Sequence, residues 1–210
     1  MKNLTDCRLY GILDLSYVTE PDAERVAAAM IEGGVDVIQL RDKKSGMTAI
    51  SYLAEKLHVI TSAAGVPLIV NDYAKIAALV PVEGVHVGQD DESVAAAREK
   101  AGREIIVGKS THSLDQARAA LNESADYIGF GPIFATPTKP DYKPIGTADI
   151  KRLHAEVTLP IFCIGGIKID NLGEVIAAGA KRVTIVSGLL KAPDIAKYGR
   201  ACMALLEPEG

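Results

Sequence analysis

Short, continuously apolar segments alternate with amphipathic segments along the whole chain. Residues 9–14 form the first apolar run, and the segment after Pro21 carries apolar residues at helical spacing as far as Gly33. Strands of a parallel sheet are buried on both faces and therefore appear as apolar runs rather than as strict alternation. The pattern predicts eight strands, at 9–14, 37–41, 67–72, 84–88, 105–108, 127–131, 160–164 and 182–186.

A helical pattern follows each predicted strand. The helices are predicted between Pro21 and Gly33, at 48–64, 74–79 and 92–100, from Ser113 onward, at 147–155, after Asp170, and at 193–206. Eight such units predict an α/β fold, a closed (β/α)8 or TIM barrel, with a single domain spanning residues 1–210. A doubly wound open sheet is the alternative, but no glycine-rich dinucleotide fingerprint follows the first strand.

Polar residues cluster where the predicted strands end, which is the functional face of a (β/α)8 barrel. Gln39, Arg41 and Lys43 alternate at the end of the second strand, so they share one face if the strand continues. Asn71 ends the third strand, and Ser110 follows the fifth. Cations and hydrogen-bond donors at one end of a barrel suit an anionic, phosphorylated ligand.

Asp72 and Asp91 are candidate metal ligands. They end neighbouring strands, and two adjacent carboxylates repel each other unless a cation or a proton lies between them. Hard oxygen ligands beside a phosphate site fit Mg²⁺, completed by water and by substrate oxygens. Each aspartate could instead cap a helix, a role that Asp favours at strand-to-helix junctions. Asp90 is a rival for Asp91, and spacing does not choose between them.

Two further features point to phosphate binding. Residues 136–139 read Thr-Pro-Thr-Lys after the sixth strand and supply two hydroxyls and an ammonium. Gly166 and Gly188 follow the seventh and eighth strands, where backbone N–H groups can approach a phosphate in front of a helix N-terminus. His86 lies inside an apolar strand, so we expect a hydrogen-bonded structural residue rather than a catalytic base. Lys109 is expected to add positive potential beside Ser110.

Composition narrows the range of partners. The net charge of −4 argues against general nucleic-acid binding, which needs a basic face. Cys7, Cys163 and Cys202 show neither metal-site nor disulfide spacing, so we expect a reducing cytoplasm. We also expect no signal peptide and no membrane span, because no apolar run is long enough. Small-molecule substrates are therefore the expected partners, and a homodimer is left open.

With these residues in view, the chain resembles the thiamine-phosphate synthase family, also called thiamine-phosphate pyrophosphorylases. The resemblance covers nearly the whole length, with one motif at each of seven strand ends. Each motif alone is modest evidence, but seven in this order are highly specific. They are QLRDKKS at 39–45, IVNDY at 69–73, GVHVGQDD at 84–91, GKSTHS at 108–113, DYIGFGPIFATPTK at 126–139, IGGI at 164–167 and VSG at 186–188.

The resemblance implies a Mg²⁺-dependent reaction. An aminopyrimidine diphosphate loses pyrophosphate through a pyrimidine-stabilised carbocation, and a thiazole phosphate nitrogen attacks the methylene carbon to give thiamine phosphate. Asp72 and Asp91 would hold the metal, and Arg41, Lys43, Ser110 and Lys139 would carry the catalytic roles. The resemblance places the pyrimidine diphosphate at Gln39, Leu40, Arg41, Asp42, Lys43, Asn71, Ser110 and Lys139, and the thiazole phosphate at Thr136, Pro137, Thr138, Gly166, Val186 and Ser187.

The chain departs from the family pattern at Asp42 and Lys109, and two other functions are alternatives to the synthase. Asp42 stands where the family more often has Glu, and we expect its side chain to point away from Arg41 and Lys43. A thiazole tautomerase of the same fold would bind a similar thiazole phosphate without the diphosphate and metal groups that this chain retains. A non-catalytic regulator that binds thiamine-related ligands would not need them either, so both rivals are disfavoured.

Overall fold

Eight parallel strands close into a barrel in chain order. The structure, a computed structural model, describes residues 2–136 and 142–207. Each strand pairs with the next along the chain, and the last pairs with the first. The predicted (β/α)8 barrel is therefore confirmed, and the open sheet is excluded. The strands are β1 (Leu9–Asp14), β2 (Val37–Arg41), β3 (Leu68–Asn71), β4 (Gly84–Val87), β5 (Ile106–Thr111), β6 (Tyr127–Phe130), β7 (Ile161–Ile164) and β8 (Val183–Ile185).

Helices surround the barrel in the order that the sequence pattern predicts. A 3-10 helix at Glu20–Asp22 leads into the first of them, and a four-residue helix after β8 was not predicted. The described α-helices are α1 (Ala23–Glu32), α2 (Met47–Ala63), α3 (Ile76–Leu79), α4 (Val94–Ala101), α5 (Leu114–Asn122), α6 (Ile150–Glu156), α7 (Ile169–Ala177), α8 (Ser187–Leu190) and α9 (Ile195–Leu206). None of these helices is long and apolar enough to cross a membrane.

Two apolar cores lie on opposite sides of the strands. The larger one fills the space between the sheet and the helices, where Leu40, Ile38 and Val85 are fully buried. The smaller one fills the barrel interior with side chains from alternate strand positions. Its aromatic members are Tyr10, Tyr127 and Phe162, and the Phe162 ring meets the two tyrosine rings nearly edge-on at 5.3 and 5.7 Å. These three rings, with Phe162 packed edge to face against the two tyrosines, form the lower boundary of the barrel interior, and we call them the aromatic floor.

One glycine makes room for that floor. Gly108 in β5 faces the Tyr127 ring on β6, and a Cβ atom built on Gly108 would lie 2.0 Å from Tyr127 Cζ. Any larger residue at this position would have to displace a fully buried aromatic side chain. The glycine therefore sets where Tyr127 sits inside the barrel.

The structure corrects the end of the fifth strand. The prediction ended it at Gly108, but β5 continues through Thr111. Because side chains alternate along a strand, Ser110 faces the barrel interior and Lys109 faces the helices. Lys109 is buried and pairs with Glu123 on the helix side, at 3.1 Å from Nζ to Oε2. The expectation that Lys109 adds positive potential beside Ser110 is therefore wrong.

Candidate active site

A cavity opens at the carboxyl end of the barrel and reaches down to the aromatic floor. Its walls are alternate residues of the strands, because every second side chain of a barrel strand points inward. Several residues proposed from the sequence line it, namely Gln39, Arg41, Asn71, Ser110, Thr136, Gly166, Val186 and Ser187. The cavity therefore brings together residues that the sequence analysis assigned to two different substrates.

A continuous chain of hydrogen bonds crosses the floor of the cavity. Gln39 Nε2 donates to the Tyr10 hydroxyl at 2.8 Å, and that hydroxyl lies 2.9 Å from the Tyr127 hydroxyl. His86 Nδ1 lies 3.0 Å from the same Tyr127 oxygen, and His86 Nε2 lies 2.9 Å from Ser110 Oγ. His86 is thus hydrogen-bonded, as expected, but it also lines the cavity and contacts a proposed substrate ligand.

Arg41 is held by a carboxylate that the sequence analysis did not single out. Asp14 ends β1 as the register partner of Arg41 and accepts a hydrogen bond from Arg41 Nη1 through Oδ2. Its other oxygen accepts from the backbone and side chain of Ser16, at 2.8 and 2.7 Å. Both side chains are largely removed from solvent. Asp14 therefore fixes the direction in which the guanidinium faces the cavity.

Lys43 and the two candidate metal ligands form a charged group just beyond the carboxyl ends of β2, β3 and β4. The Lys43 ammonium contacts Asp72 Oδ2. Burial raises the pKa of Asp72, contact with Lys43 lowers it, and the nearby charge of Asp91 raises it again, so that the net shift is upward. Asp72 also adopts the left-handed backbone region with φ of 67°, which is uncommon for a residue other than glycine. Asp72 and Asp91 repel each other, and Lys43 already contacts Asp72, so a divalent cation bound between the two carboxylates would be stabilised electrostatically.

The helix-capping alternative is wrong for both aspartates. The N-cap of α3 is Lys75, and the N-cap of α4 is Ser93, whose side chain accepts from Ala96 N. Asp91 instead accepts from the backbone N–H of Gly88 at 2.8 Å. Asp91 rather than Asp90 is also the carboxylate that acts on Asp72. Within residues 2–136 and 142–207 no group of three or more acidic, histidine or cysteine ligands occurs. Mg²⁺ held here would take its remaining ligands from water and substrate.

The opposite wall of the cavity is built from backbone that only glycine allows. Gly165 and Gly166 follow β7 with φ of 101° and 66°. A Cβ on Gly166 would lie 2.6 Å from the carbonyl oxygen of Ala135, so this turn packs directly against the loop that leads to Thr136. Ser187 opens α8 on the same side, where the first N–H groups of a helix lack intrahelical partners. Gly166 and Ser187 both line the cavity.

Three residues assigned to the pyrimidine diphosphate, Leu40, Asp42 and Lys43, do not line the cavity. Lys43 instead contacts Asp72. Leu40 is fully buried in the outer core, since it alternates with the inward-facing Gln39 and Arg41. Asp42 accepts hydrogen bonds from Lys44 N and Ser45 N at 2.8 and 3.1 Å, so it shapes the loop after β2 and points away, as expected. Pro137, Thr138 and Lys139 lie outside the described residues.

Sequence reasoning missed the residues that support these ligands. Tyr10, Asp14 and Tyr127 all line the cavity. The signal that could have found them is polarity at inward positions of otherwise apolar strands, because a barrel interior that needs no site is filled by branched aliphatic residues. Tyr10 and Asp14 both lie at even positions of β1 and share one face.

Comparison with known proteins identifies the family of the chain. The family described as thiamine monophosphate synthase matches residues 9–189 of the chain. The chain belongs to the thiamine monophosphate synthase family. As a member of this family it is an enzyme, a transferase of thiamine biosynthesis that acts on small-molecule substrates.

Relatives of the thiamine monophosphate synthase family cover the chain almost completely. A thiamine-phosphate synthase of Halalkalibacterium halodurans is 39% identical over 208 residues, which is 99% of each chain. Another, of Shouchella clausii, is 41% identical over 201 residues, covering 95% of this chain and 96% of its own. A solved thiamine phosphate pyrophosphorylase from Pyrococcus furiosus superposes with a TM-score of 0.88 at 28% identity, covering 97% of this chain and 96% of its own. The expected family and the synthase function are thus confirmed.

Proposed function

We propose that this synthase couples an aminopyrimidine diphosphate with a thiazole phosphate, in the presence of Mg²⁺, to form thiamine phosphate and pyrophosphate. One observation carries the proposal. The cations Arg41 and Lys43 and the pair Asp72 and Asp91 lie at the same end of the barrel as the glycine-built wall at Gly166. One cavity can therefore hold a diphosphate and a second phosphate side by side.

Loss of pyrophosphate is the step that the cationic side supports. The carbon–oxygen bond breaks, and its electron pair leaves with pyrophosphate, whose negative charge grows at that moment. Arg41, fixed by Asp14, and Lys43 can oppose that charge, and Lys139 is proposed to do so from a position outside the described residues. Mg²⁺ held by Asp72 and Asp91 would supply further charge neutralisation when bound.

Attack by the thiazole needs no activated nucleophile. The ring nitrogen already has a lone pair, which forms the new carbon–nitrogen bond with the methylene carbon of the pyrimidine cation. The side chains proposed for catalysis are accordingly cations and a hydroxyl rather than a general base. Exclusion of water is needed, because water would trap the cation. The buried and packed rings of Tyr10, Tyr127 and Phe162 close the barrel beneath the cavity and support that exclusion.

The thiazole phosphate is proposed to bind at the wall opposite the cations. Thr136 and Gly166 line it from adjacent loops, and Val186 and Ser187 line it from the start of α8. Backbone N–H groups and a threonine hydroxyl are suitable phosphate donors. Pro137 and Thr138 would complete this subsite. We further propose a cytoplasmic location, in keeping with three thiols that are all reduced and buried, and we leave a homodimer open.

The deciding experiment combines the purified chain with both substrates, with and without Mg²⁺. The proposal expects thiamine phosphate and pyrophosphate in equal amounts only when the metal is present. Thermal unfolding gives a second readout, because a ligand that binds only the folded state raises the melting temperature. Mg²⁺ with pyrophosphate should stabilise the native chain and should fail to stabilise Asp72→Asn. Asp170→Asn, a change on the surface of α7, serves as the matched control. Binding of both substrates without turnover would contradict the proposal and favour a regulator.

A further inference from the structure

The hydrogen-bond chain on the cavity floor has a direction. Gln39 Nε2 is an amide nitrogen and can only donate, so the Tyr10 oxygen accepts from it. Burial raises the pKa of Tyr10 and of Tyr127, so both phenols keep their single proton at neutral pH. Each phenol can therefore donate one hydrogen bond and no more.

The number of protons available then determines which atom donates in each of the remaining hydrogen bonds. If Tyr10 donates to Tyr127, then Tyr127 can donate its own proton to His86 Nδ1, and every buried hydroxyl is satisfied. The opposite direction would give Tyr10 two incoming hydrogen bonds and leave its own O–H buried without an acceptor among residues 2–136 and 142–207, which costs free energy. Accepting at Nδ1 leaves a neutral imidazole protonated on Nε2. That N–H points at Ser110 Oγ, 2.9 Å away.

We propose that His86, held as the Nε2–H tautomer by Gln39, Tyr10 and Tyr127, is a positioning residue that turns the Ser110 hydroxyl into a hydrogen-bond donor to a ring nitrogen of the aminopyrimidine. Because the Ser110 oxygen accepts a hydrogen bond from His86 Nε2–H, the Ser110 O–H donates in another direction, into the cavity that Ser110 lines. The proposal rests on the proposed function, since it concerns the pyrimidine substrate of that reaction.

The arrangement matches an aminopyrimidine by chemistry. A ring nitrogen of such a molecule accepts a hydrogen bond, and its exocyclic amino group donates one. Ser110 Oγ–H supplies the donor, and the Gln39 carbonyl oxygen, on the amide that is anchored to Tyr10, supplies an acceptor in the same cavity. Orientation of both groups before binding reduces the entropy that the complex must lose. The five hydrogen-bonded side chains thus favour binding of an aminopyrimidine and do not serve to transfer a proton.

The first test measures the tautomer in the ligand-free enzyme. Ring ¹⁵N NMR distinguishes Nε2–H from Nδ1–H, and a spectrum of His86→Gln assigns the signals among the four histidines. The proposal expects Nε2–H in the wild type and a partial shift toward Nδ1–H in Tyr127→Phe, which keeps the ring but removes the donor. Tyr52→Phe, on an exposed tyrosine, is the matched control and should leave the spectrum unchanged. An Nδ1–H wild type, or a spectrum unaltered by Tyr127→Phe, would overturn the proposal.

The second test compares two amide replacements of His86. The amide of Gln reaches the place of Nε2 and can still donate to Ser110, whereas the amide of Asn reaches only the place of Nδ1. We expect His86→Asn to raise KM for the pyrimidine diphosphate about tenfold, the worth of one oriented hydrogen bond. His86→Gln should recover most of that loss, and KM for the thiazole phosphate should stay within about twofold in both. Equal losses in the two variants would overturn the proposal.

A double-mutant cycle separates positioning from general support of the fold. If His86 acts through Ser110, then His86→Asn should change KM for the pyrimidine diphosphate by less than about twofold once Ser110→Ala is already present. Additive losses would indicate a structural role and would overturn the proposal. Failure of the proposed function would look different, because an enzyme that forms no thiamine phosphate would still show the Nε2–H tautomer by NMR.

Discussion

Among single residues, Asp14 is the buried carboxylate that holds the Arg41 guanidinium in place. Asp14 is only 1% exposed and divides its two oxygens between the Arg41 guanidinium and the Ser16 turn. A buried charge pair of this kind is costly to break, because the remaining charge loses its partner. The position of the guanidinium, and with it the diphosphate subsite, should therefore be sensitive to Asp14.

Asp14→Asn should lower kcat/KM for the pyrimidine diphosphate about 10- to 100-fold, since a hydrogen bond to a charged group contributes about 1.5–3 kcal/mol. The asparagine keeps an oxygen for Ser16 but loses the charge that orients Arg41. Steady-state kinetics with each substrate varied in turn is the measurement. The matched control is Asp22→Asn, which removes an exposed ion pair with Arg25 and should change kcat/KM by less than about twofold. An effect confined to the thiazole phosphate would contradict this assignment.

The limits of sequence reasoning are visible at these same residues. Alternation along β2 placed Gln39 and Arg41 in the cavity correctly, because a two-residue period is a local property. The same rule could have excluded Leu40, whose side chain lies in the outer core. Asp14 is different, because its partnership with Arg41 arises from the register between β1 and β2. Register depends on how the sheet closes, which no local pattern reports.

At the scale of whole elements, close packing between β5 and β6 depends on Gly108. Gly108→Ala should lower the free energy of unfolding by about 2 kcal/mol, because the new methyl group must displace the buried Tyr127 ring. Gly173→Ala is the matched control, because Gly173 lies in the exposed interior of α7 with nothing within 4 Å of a built Cβ. There alanine should instead stabilise the fold by up to about 1 kcal/mol. Urea unfolding of both variants is the measurement, and a neutral Gly108→Ala would refute the packing argument.

Prediction of the elements succeeded for all eight strands and failed at α8 and at the end of β5. The eight strands and their order were predicted because each apolar run is bounded by turn or cap residues. The four-residue α8 was missed; it begins only two residues after the end of β8. The end of β5 was placed too early because Lys109 and Ser110 are polar. Pairing of Lys109 with Glu123 shows why a polar residue can continue a buried strand.

All three cysteines are buried, so their reactivity toward a thiol reagent shows whether the whole chain is folded. Burial raises the pKa of Cys7 and Cys163 to about 12 and that of Cys202 to about 11. The thiolate is the reactive form, so the folded chain should resist alkylation by iodoacetamide at pH 8, while the chain in urea should react at all three positions. Mass spectrometry counts the modified thiols. Rapid labelling of any cysteine in the native chain would contradict the buried positions.

Closure of the barrel is the whole-molecule feature that sequence reasoning inferred with least direct support. No single residue encodes the pairing of β8 with β1, and the inference rested on the count of eight repeating units. Closure has a functional consequence, since it brings Thr184 of the last strand beside Tyr10 of the first, and both residues line the cavity. The two proposed substrates can meet only because the first and last strands are neighbours.

Acid stability of the whole molecule should depend on His154 in α6. Burial, together with the charges of Lys181 and Arg182, lowers its pKa from 6.5 to about 4. Its Nε2 is buried and makes no hydrogen bond within the described part of the chain. Between pH 6.5 and 4 the unfolded chain therefore binds a proton at this histidine that the folded chain does not, and the free energy of unfolding falls as the pH falls.

His154→Gln should remove that part of the pH dependence. Between pH 7 and pH 5 the wild type should lose about 1 kcal/mol more than the variant, a value reduced from full linkage because the side chain is only partly buried. Urea unfolding at the two pH values measures the difference. Lys151→Gln, on the exposed surface of the same helix, should keep the wild-type slope. An identical slope in His154→Gln and the wild type would contradict this assignment, because it would show that the folded chain takes up this proton as readily as the unfolded one.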